Sequence, residues 1–530
     1  MEFSVMSISK SFWISVLTLF LVCLIYYVNV LCKTDFHYTY FLDDAYIHLA
    51  IAKNFALHQV WGVTSHQFSS TSSSPLYTFL LSVLIKLFGN NDQLPLYINV
   101  FLGFCTVFFL NLYYSEFFKE VKNLLSVVLS TLFFAVLHLL VLSGMEHLFH
   151  VLLFVINILC LKKIDQNKKY IVGFYLTLLL MGLVRFESMF YFVILAFCFI
   201  LIKKWKAAVG VILAGFIPIA LFCYFNYQQE GYLFPNSVVV KGAKLSFDRP
   251  LFSQLKIILL DNFLLNISFY KVGIFPLLMC FLFLCRDYKK KNFTTVVKES
   301  FQLIVFSFLM IFHSLFADLK GGFRYEAYIL TGFCMVLIPK LKFFFEDFKN
   351  YIQKEQLMSL LMLANFSVLM YKLIISNMIL DNGGKNIYEQ QVQSAFFLNT
   401  YYNDSNVIAN DIGAISYYTD IHLFDIAGLA STEMIPFNEN KAVFDKRFET
   451  FMTDFSIKNK YDLAIVYELW LGGYTPKNWK KVAVLKIADK ITVAQSDVTI
   501  YCINKEKLDS LRKNIKNFKW NKNVQVKIID

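Results

Sequence analysis

Two adjacent carboxylates, Asp43 and Asp44, stand near the head of FLDDAYIHLAIAKNF, residues 41–55. They follow a hydrophobic stretch at 11–31 and sit where the chain leaves a bilayer. Charge at that depth is costly unless it is used or solvated. A carboxylate there can take a proton from a hydroxyl at the headgroup level, which is the work of a general base over a lipid-linked substrate. The pattern that follows, Tyr46, Ile47, Leu49, Ile51 and Phe55, is compatible with a helix. His48 falls four residues after Asp44 and so shares its helical face.

Further ionisable and polar residues gather at the ends of apolar stretches. Glu146 and His147 lie in SGMEH, Arg185 and Glu187 in VRFES, and Asn236 and Lys241 in FPNSVVVK. Asp318, Lys320, Arg324 and Glu326 lie in ADLKGGFRYE. Carboxylates and cations at one membrane face suit a reaction between a polar group and a phosphate. Arg and Lys neutralise a departing phosphate while a carboxylate accepts the proton. The simpler reading makes Arg185–Glu187 and Arg324–Glu326 ion pairs that only anchor helix ends. His138, His150 and His313 lie within apolar runs and are expected to form interhelical hydrogen bonds.

Composition sets the compartment. Of 530 residues 57% are hydrophobic, 58 are Phe, and mean hydropathy is +0.54. That is the composition of a polytopic membrane protein. The net charge of +12 is scattered over loops, which sets topology and argues against a nucleic-acid partner. Ten Cys show no CxxC and no metal-ligand spacing. Residues 11–31 are too long for a signal-peptide core and lack a following cleavage site, so an uncleaved first helix is expected.

Apolar stretches of spanning or near-spanning length fall at 11–31, 75–89, 94–115, 123–142, 146–161, 170–184, 188–202, 207–226, 267–285, 300–317, 325–339 and 357–380. Basic clusters at 162–169, 203–206, 286–291 and 340–349 alternate correctly if all are cytoplasmic. The N-terminus is then cytoplasmic, and the 32–74 loop and everything after 380 are extracytoplasmic. An odd number of crossings must separate residue 74 from Lys162, yet four candidates lie between them. One of them is therefore expected to be broken, re-entrant or split, which gives about 11–13 spans overall.

DNGGK at 381–385 reads as a turn, and the composition shifts there. Residues 1–380 are read as the membrane domain and 381–530 as a soluble α/β domain. Helices are expected at 388–400 and 442–457, and short buried strands at 462–467, 482–487 and 498–503. With no GxGxxG and no P-loop, no nucleotide site is expected. SSTSSSP, 69–75, reads as a polar loop ending at a helix-starting Pro75.

The order of these motifs resembles the GT-C glycosyltransferases, nearest the bacterial polyprenyl-phosphate-sugar-dependent, arabinofuranosyltransferase-like group. DDAYIHLAIAKNF (43–55) with SSTSSSPLYTFLLS resembles the first-loop signature, and SGMEH (143–147) the next motif. RFE (185–187) resembles an Arg-Pro-Glu motif with Phe186 for Pro, and FPNSVVVK (234–241) a Pro-Asn-Thr…Lys loop with Ser237 for Thr. NDIGAISYYTD (410–420) and DIAGL (425–429) resemble the start of the C-terminal domain. The resemblance covers roughly residues 40–430. It implies a GT-C membrane core with a catalytic Asp in the first extracytoplasmic loop and a soluble C-terminal domain. The implied location is a bacterial cytoplasmic membrane. The implied donor is a sugar on a polyprenyl phosphate, and the implied reaction is a direct displacement with inversion. The implied acceptor is a glycan, lipid or protein. Asp44 is then the base with Asp43 orienting it, although residue type fits either. Arg185, Lys241 and Arg324 would meet the donor phosphate. Glu146, His147 and Glu187 would bind sugar hydroxyls or order the loop, with Asn236 and His48 also at the substrate. The chemistry requires no cofactor, and some GT-C enzymes use a divalent metal.

Two other readings compete. A transporter or lipid flippase would show paired Gly/Pro-broken helices with charge near mid-span and half-to-half symmetry. Here charge favours helix ends. A non-enzymatic envelope-assembly protein would act through its C-terminal domain and tolerate loss of both first-loop carboxylates.

Overall fold

The computed structural model describes residues 2–241, 250–317, 319, 321–438 and 444–529; the side chains of 2–8 and of Lys241 are outside that description. Asp318 and Lys320 also lie outside the described residues. The chain is mostly helical, a polytopic membrane protein with a C-terminal sheet.

Five helices are long and apolar enough to cross a membrane: Ser9–Lys33, Leu94–Tyr114, Trp205–Glu230, Leu251–Val272 and Gln356–Tyr401. Helices Phe293–Glu299 and Phe301–Phe316 meet at an 82° bend and pass the same test together. Five shorter apolar helices accompany them: Pro75–Phe88, Val121–Phe134, His147–Lys162, Ser188–Leu201 and Ala327–Lys340. A 14-residue helix rises only about 21 Å, short of the ~30 Å hydrocarbon core. Trp13, Leu17 and Ile25 of the first long helix are more than half exposed, as lipid contact requires. By contrast, His147–Lys162 is buried along nearly its whole length.

The stretch expected at 123–142 is divided. Helix Val121–Phe134 stops, and Leu137–Leu142 starts again after Val136 at φ 49°, ψ 40°. A left-handed β-branched residue is a costly conformation that only a tightly packed surround holds in place. Val136 is fully buried.

The chain forms two compact units. The first comprises Met1–Ile25, Leu96–Leu221 and Ala243–Met378, and is built of packed helices. The three apolar-run histidines there bridge helices: His138 to Asn377 Oδ1 at 3.1 Å, His150 to Ser188 Oγ at 2.7 Å, and His313 to the Tyr328 hydroxyl at 3.0 Å.

The second unit gathers Tyr26–Pro95, Phe222–Gly242 and Ile379–Asp530. Its sheet has strands β1 (Asn406–Ala409), β2 (His422–Asp425), β3 (Leu463–Val466), β4 (Lys480–Lys486), β5 (Asp497–Cys502) and β6 (Gln525–Ile528). The order is β2-β1-β3-β5-β4-β6, parallel across β2-β1-β3 and antiparallel beyond. Ile408, Phe424, Phe448, Met452, Val466 and Trp479 form its core on one face. Helix Lys446–Lys458 covers that core, capped by Asp445 accepting from the Arg447 and Phe448 amides.

The turn expected at DNGGK does not form. Helix Gln356–Ile387 runs straight through it and continues as a π-turn, Tyr388–Val392, into helix Gln393–Tyr401. The glycines serve close approach instead. A Cβ on Gly383 would stand 2.6 Å from Phe41 Cβ, and one on Gly384 would stand 2.6 Å from the Thr39 carbonyl oxygen. Asp381 accepts from Asn29 Nδ2 at 2.8 Å and Lys33 Nζ at 2.9 Å.

Candidate active site

In the second unit the acidic pair begins a helix. Asp43 precedes helix Asp44–His58, and Asp44 occupies its first turn, where the helix dipole favours a carboxylate. The Asp43 side chain does not cap its own helix. It reaches the N-terminus of helix Gly413–Tyr418, where Oδ2 accepts from the Gly413 amide at 2.6 Å and Oδ1 from the Ala414 amide at 2.9 Å. At the other end of that short helix Lys53 Nζ donates to the Tyr417 carbonyl at 2.8 Å. It also lies 3.5 Å from the Ser416 and Thr419 carbonyls. Asp43 and Lys53, at the head of this helix and within it, thus place acceptor oxygens on the amide end and a donor on the carbonyl end of the neighbouring short helix.

Burial is the largest influence on the Asp43 carboxyl, followed by the nearby charge of Asp411. Together they outweigh the two amides and push it up to about 8. Asp411 follows β1 and accepts from Gln391 Nε2 at 2.7 Å and from the Tyr467 hydroxyl at 2.6 Å. Tyr467 follows β3, and its amide donates to Asn410 Oδ1 at 3.0 Å. Burial, then Asp411, raises the Tyr467 phenol well above its ordinary value. Burial pulls the Lys53 ammonium down, and Asp420, 3.8 Å away, works the other way. At the end of β2, Asp425 accepts from the amides of Ala427, Leu429 and Ala430, yet burial pushes its carboxyl up to about 6. Polar groups thus collect where parallel strands β1, β2 and β3 end.

His48 is buried among hydroxyls. Its Nδ1 lies 2.8 Å from Thr78 Oγ1 and 3.3 Å from Ser72 Oγ, and those two oxygens are 2.8 Å apart. The run Ser69–Ser72 is also buried. Ser70 N donates to Glu230 at 3.3 Å, and its carbonyl accepts from the Asn236 amide at 2.8 Å. Asn236 Nδ2 donates to Glu230 Oε2 at 3.0 Å. His48 and Asn236 therefore meet the same Ser/Thr loop from two sides. Lys241 ends helix Asn236–Lys241 by its backbone.

The first unit holds the arginines. Arg185 Nη1 donates to Glu146 Oε1 at 2.7 Å, Nε donates to Glu187 Oε2 at 3.0 Å, and Nη2 donates to Glu187 Oε1. The Arg185 guanidinium lies 5.1 Å from the Tyr325 ring centre and that of Arg324 lies 5.0 Å from it. Two cations therefore share one aromatic ring. His147 lies 5.6 Å from the same ring, with Nδ1 3.9 Å from Glu146 Oε1. Neither ring nitrogen of His147 has a hydrogen-bond partner among the described residues. Glu326 pairs with Lys372 Nζ at 3.1 Å, both nearly inaccessible. That pair takes the place of the Arg324–Glu326 contact that the simpler reading offered; Lys372 was hidden inside an apolar run. Among the described residues no group of three or more His, Cys, Asp or Glu clusters around a metal position.

The structure thus brings Glu146, His147, Arg185, Glu187 and Arg324 into one cluster around Tyr325. Asp43, Asp44, His48 and Asn236 belong to the second unit. Lys53, Asp411, Gly413, Tyr325, Lys372 and Glu230 escaped the sequence reading. A lysine inside the apolar run LAIAKNF was the one signal available for Lys53.

This arrangement belongs to a fold already known. The chain is similar to the crystal structure of ArnT from Cupriavidus metallidurans bound to undecaprenyl phosphate. Sequence identity is 10%, the TM-score is 0.50, and the match covers 92% of this chain and 98% of that one. The protein has a GT-C-like fold. A family model described as a domain of unknown function, DUF8728, matches residues 385–501, the segment that carries β1 to β5 up to Tyr501. No curated protein matches the chain.

Proposed function

We propose that this protein is a membrane glycosyltransferase that moves a sugar from a polyprenyl-phosphate donor to a glycan, lipid or protein acceptor outside the cytoplasm. The observation that carries the reading is a GT-C-like fold with an acidic pair at the head of its first-loop helix. The undecaprenyl phosphate in the similar ArnT structure supports a polyprenyl phosphate here. The alternation of basic clusters supports a cytoplasmic N-terminus and an extracytoplasmic sheet region.

The acceptor hydroxyl oxygen attacks the anomeric carbon as its bond to the phosphate oxygen breaks. Polyprenyl phosphate leaves with the bonding electrons, and the hydroxyl proton passes to a carboxylate. Asp44 takes that role, because both oxygens of Asp43 already accept backbone amides. Direct attack inverts the anomeric centre. Arg185 and Arg324 offset charge developing on the departing phosphate. Lys241 is a third candidate cation. His147 offers ring nitrogens, and Glu146 and Glu187 carboxylates, to sugar hydroxyls. His48 and Asn236 hold the Ser/Thr loop. No metal is needed for these steps.

The test uses membranes carrying the full chain and a labelled polyprenyl-phosphate sugar. Wild-type membranes transfer label to an extracytoplasmic acceptor. Asp44→Asn inserts normally and loses transfer by at least about a hundredfold, the scale of a general base. Wild-type transfer by Asp44→Asn removes the base.

A further inference from the structure

We infer that Lys53 and Gly413 are positioning residues for Asp44, and that helix Gly413–Tyr418 is the template on which the first-loop helix is set. The inference deepens the glycosyltransferase reading and rests on it. Three observations support it. Asp43 and Lys53 are ten residues apart, about 15 Å along a helix, and they engage opposite ends of the same short helix. The groups match the ends they touch, acceptor oxygens on amides and an N–H donor on carbonyls. Gly413 has no room for a side chain: a Cβ there would overlap the Asp43 carbonyl oxygen and stand 2.7 Å from its Oδ2.

Asp44 is covalently next to the anchored residue and in the first turn of the anchored helix. Its direction is therefore set by a contact that neither reacts nor touches substrate. Lys53 is buried, and removing its ammonium leaves the carbonyls at the end of the template helix without that donor. A displacement of about 1 Å at a reacting group costs on the order of a hundredfold in rate.

The experiment uses the full-length protein in nanodiscs, with Gly413→Ala, Lys53→Met and Lys53→Arg beside wild type. Hydrogen exchange is followed over residues 43–53. Turnover is followed across pH with the labelled donor of the transfer assay, and affinity is measured for undecaprenyl phosphate alone. Gly413→Ala and Lys53→Met are expected to speed exchange over 43–48 and leave β1 and β3 protected. Their kcat should fall about a hundredfold while undecaprenyl phosphate affinity and the acidic limb of the pH profile stay unchanged. Lys53→Arg, which keeps the donor, should restore both protection and turnover. Unaltered exchange in Lys53→Met overturns the template. So does altered exchange with wild-type kcat. If Gly413→Ala does not fold, the Lys53 pair decides alone. Wild-type turnover by Asp44→Asn instead sinks the base reading, and leaves the exchange result standing by itself.

Discussion

The Asp43 carboxylate and the Gly413 amide, 370 positions apart in sequence, meet at 2.6 Å. A first-loop acid that reads as a catalytic partner is thus held through both oxygens by the backbone of the sheet region. Its neighbour in space, Asp411, carries the same charge, and the two cannot both ionise cheaply.

Burial of Asp43, reinforced by Asp411, fixes a pH dependence. A carboxyl raised to about 8 in the folded protein holds a proton that the unfolded chain has already released. The stabilisation is complete below the ordinary carboxylate range and is lost as pH rises to about 8. Thermal unfolding in nanodiscs should therefore shift to lower temperature between pH about 5 and about 8. Asp411→Asn should flatten that slope. An unchanged slope would show that Asp411 does not set it.

Arg185 makes a forked set of bonds that a point charge does not reproduce. Arg185→Lys should weaken undecaprenyl phosphate binding about tenfold or more, read by titration in nanodiscs. Glu187→Gln, which keeps one acceptor, should have a smaller effect. Equal binding by wild type and Arg185→Lys would remove this residue from the donor site.

Glu326 and Lys372 form a pair almost fully removed from solvent. Removing one partner leaves a buried charge, so Glu326→Gln or Lys372→Met alone should each cost about 3–5 kcal/mol. The double variant should recover most of that loss. Additive losses in the double-mutant cycle would mean the two do not act as a unit.

Glu230 accepts from Ser70 and Asn236 and so fastens the Ser/Thr loop. Glu230→Ala should destabilise by about 2–3 kcal/mol through two stranded donors, the Ser70 amide and Asn236 Nδ2. Faster exchange at residues 69–74 should locate the loss. Protection equal to wild type there would assign the loop to other contacts.

Helical periodicity made much of this fold legible. Most of the long apolar stretches emerge as helices near their expected ends, but the candidate span Leu251–Val272 was not read, and the stretch expected at 267–285 breaks at Gly273. Strands β3, β4 and β5 were readable as apolar runs. Strands β1, β2 and β6 were not, since each opens on a polar residue and carries at most three apolar ones, whereas β3 is apolar throughout. DNGGK misled because glycine pairs serve turns and close packing alike, and only the approach of Phe41 and Thr39 distinguishes the two. SSTSSSP is the polar loop expected and ends at the helix-starting Pro75, but its burial against His48 and Glu230 has no signal in residue type. At the site, residue types marked Asp44 and Arg185. The partner that holds Asp43 is a backbone amide, which has no signature in sequence.

The docking of Asp43 on the template helix also imposes a schedule on biogenesis. The ribosome finishes the first-loop helix long before it reaches residue 413. At ordinary elongation rates the interval is roughly 20–70 s. Throughout that time the nascent chain has no surface on which to seat Asp43, and the first-loop helix waits for its template until the last quarter of translation. Chains truncated before residue 410 should accordingly exchange freely at 43–53, and protection there in such a truncate would abolish the schedule.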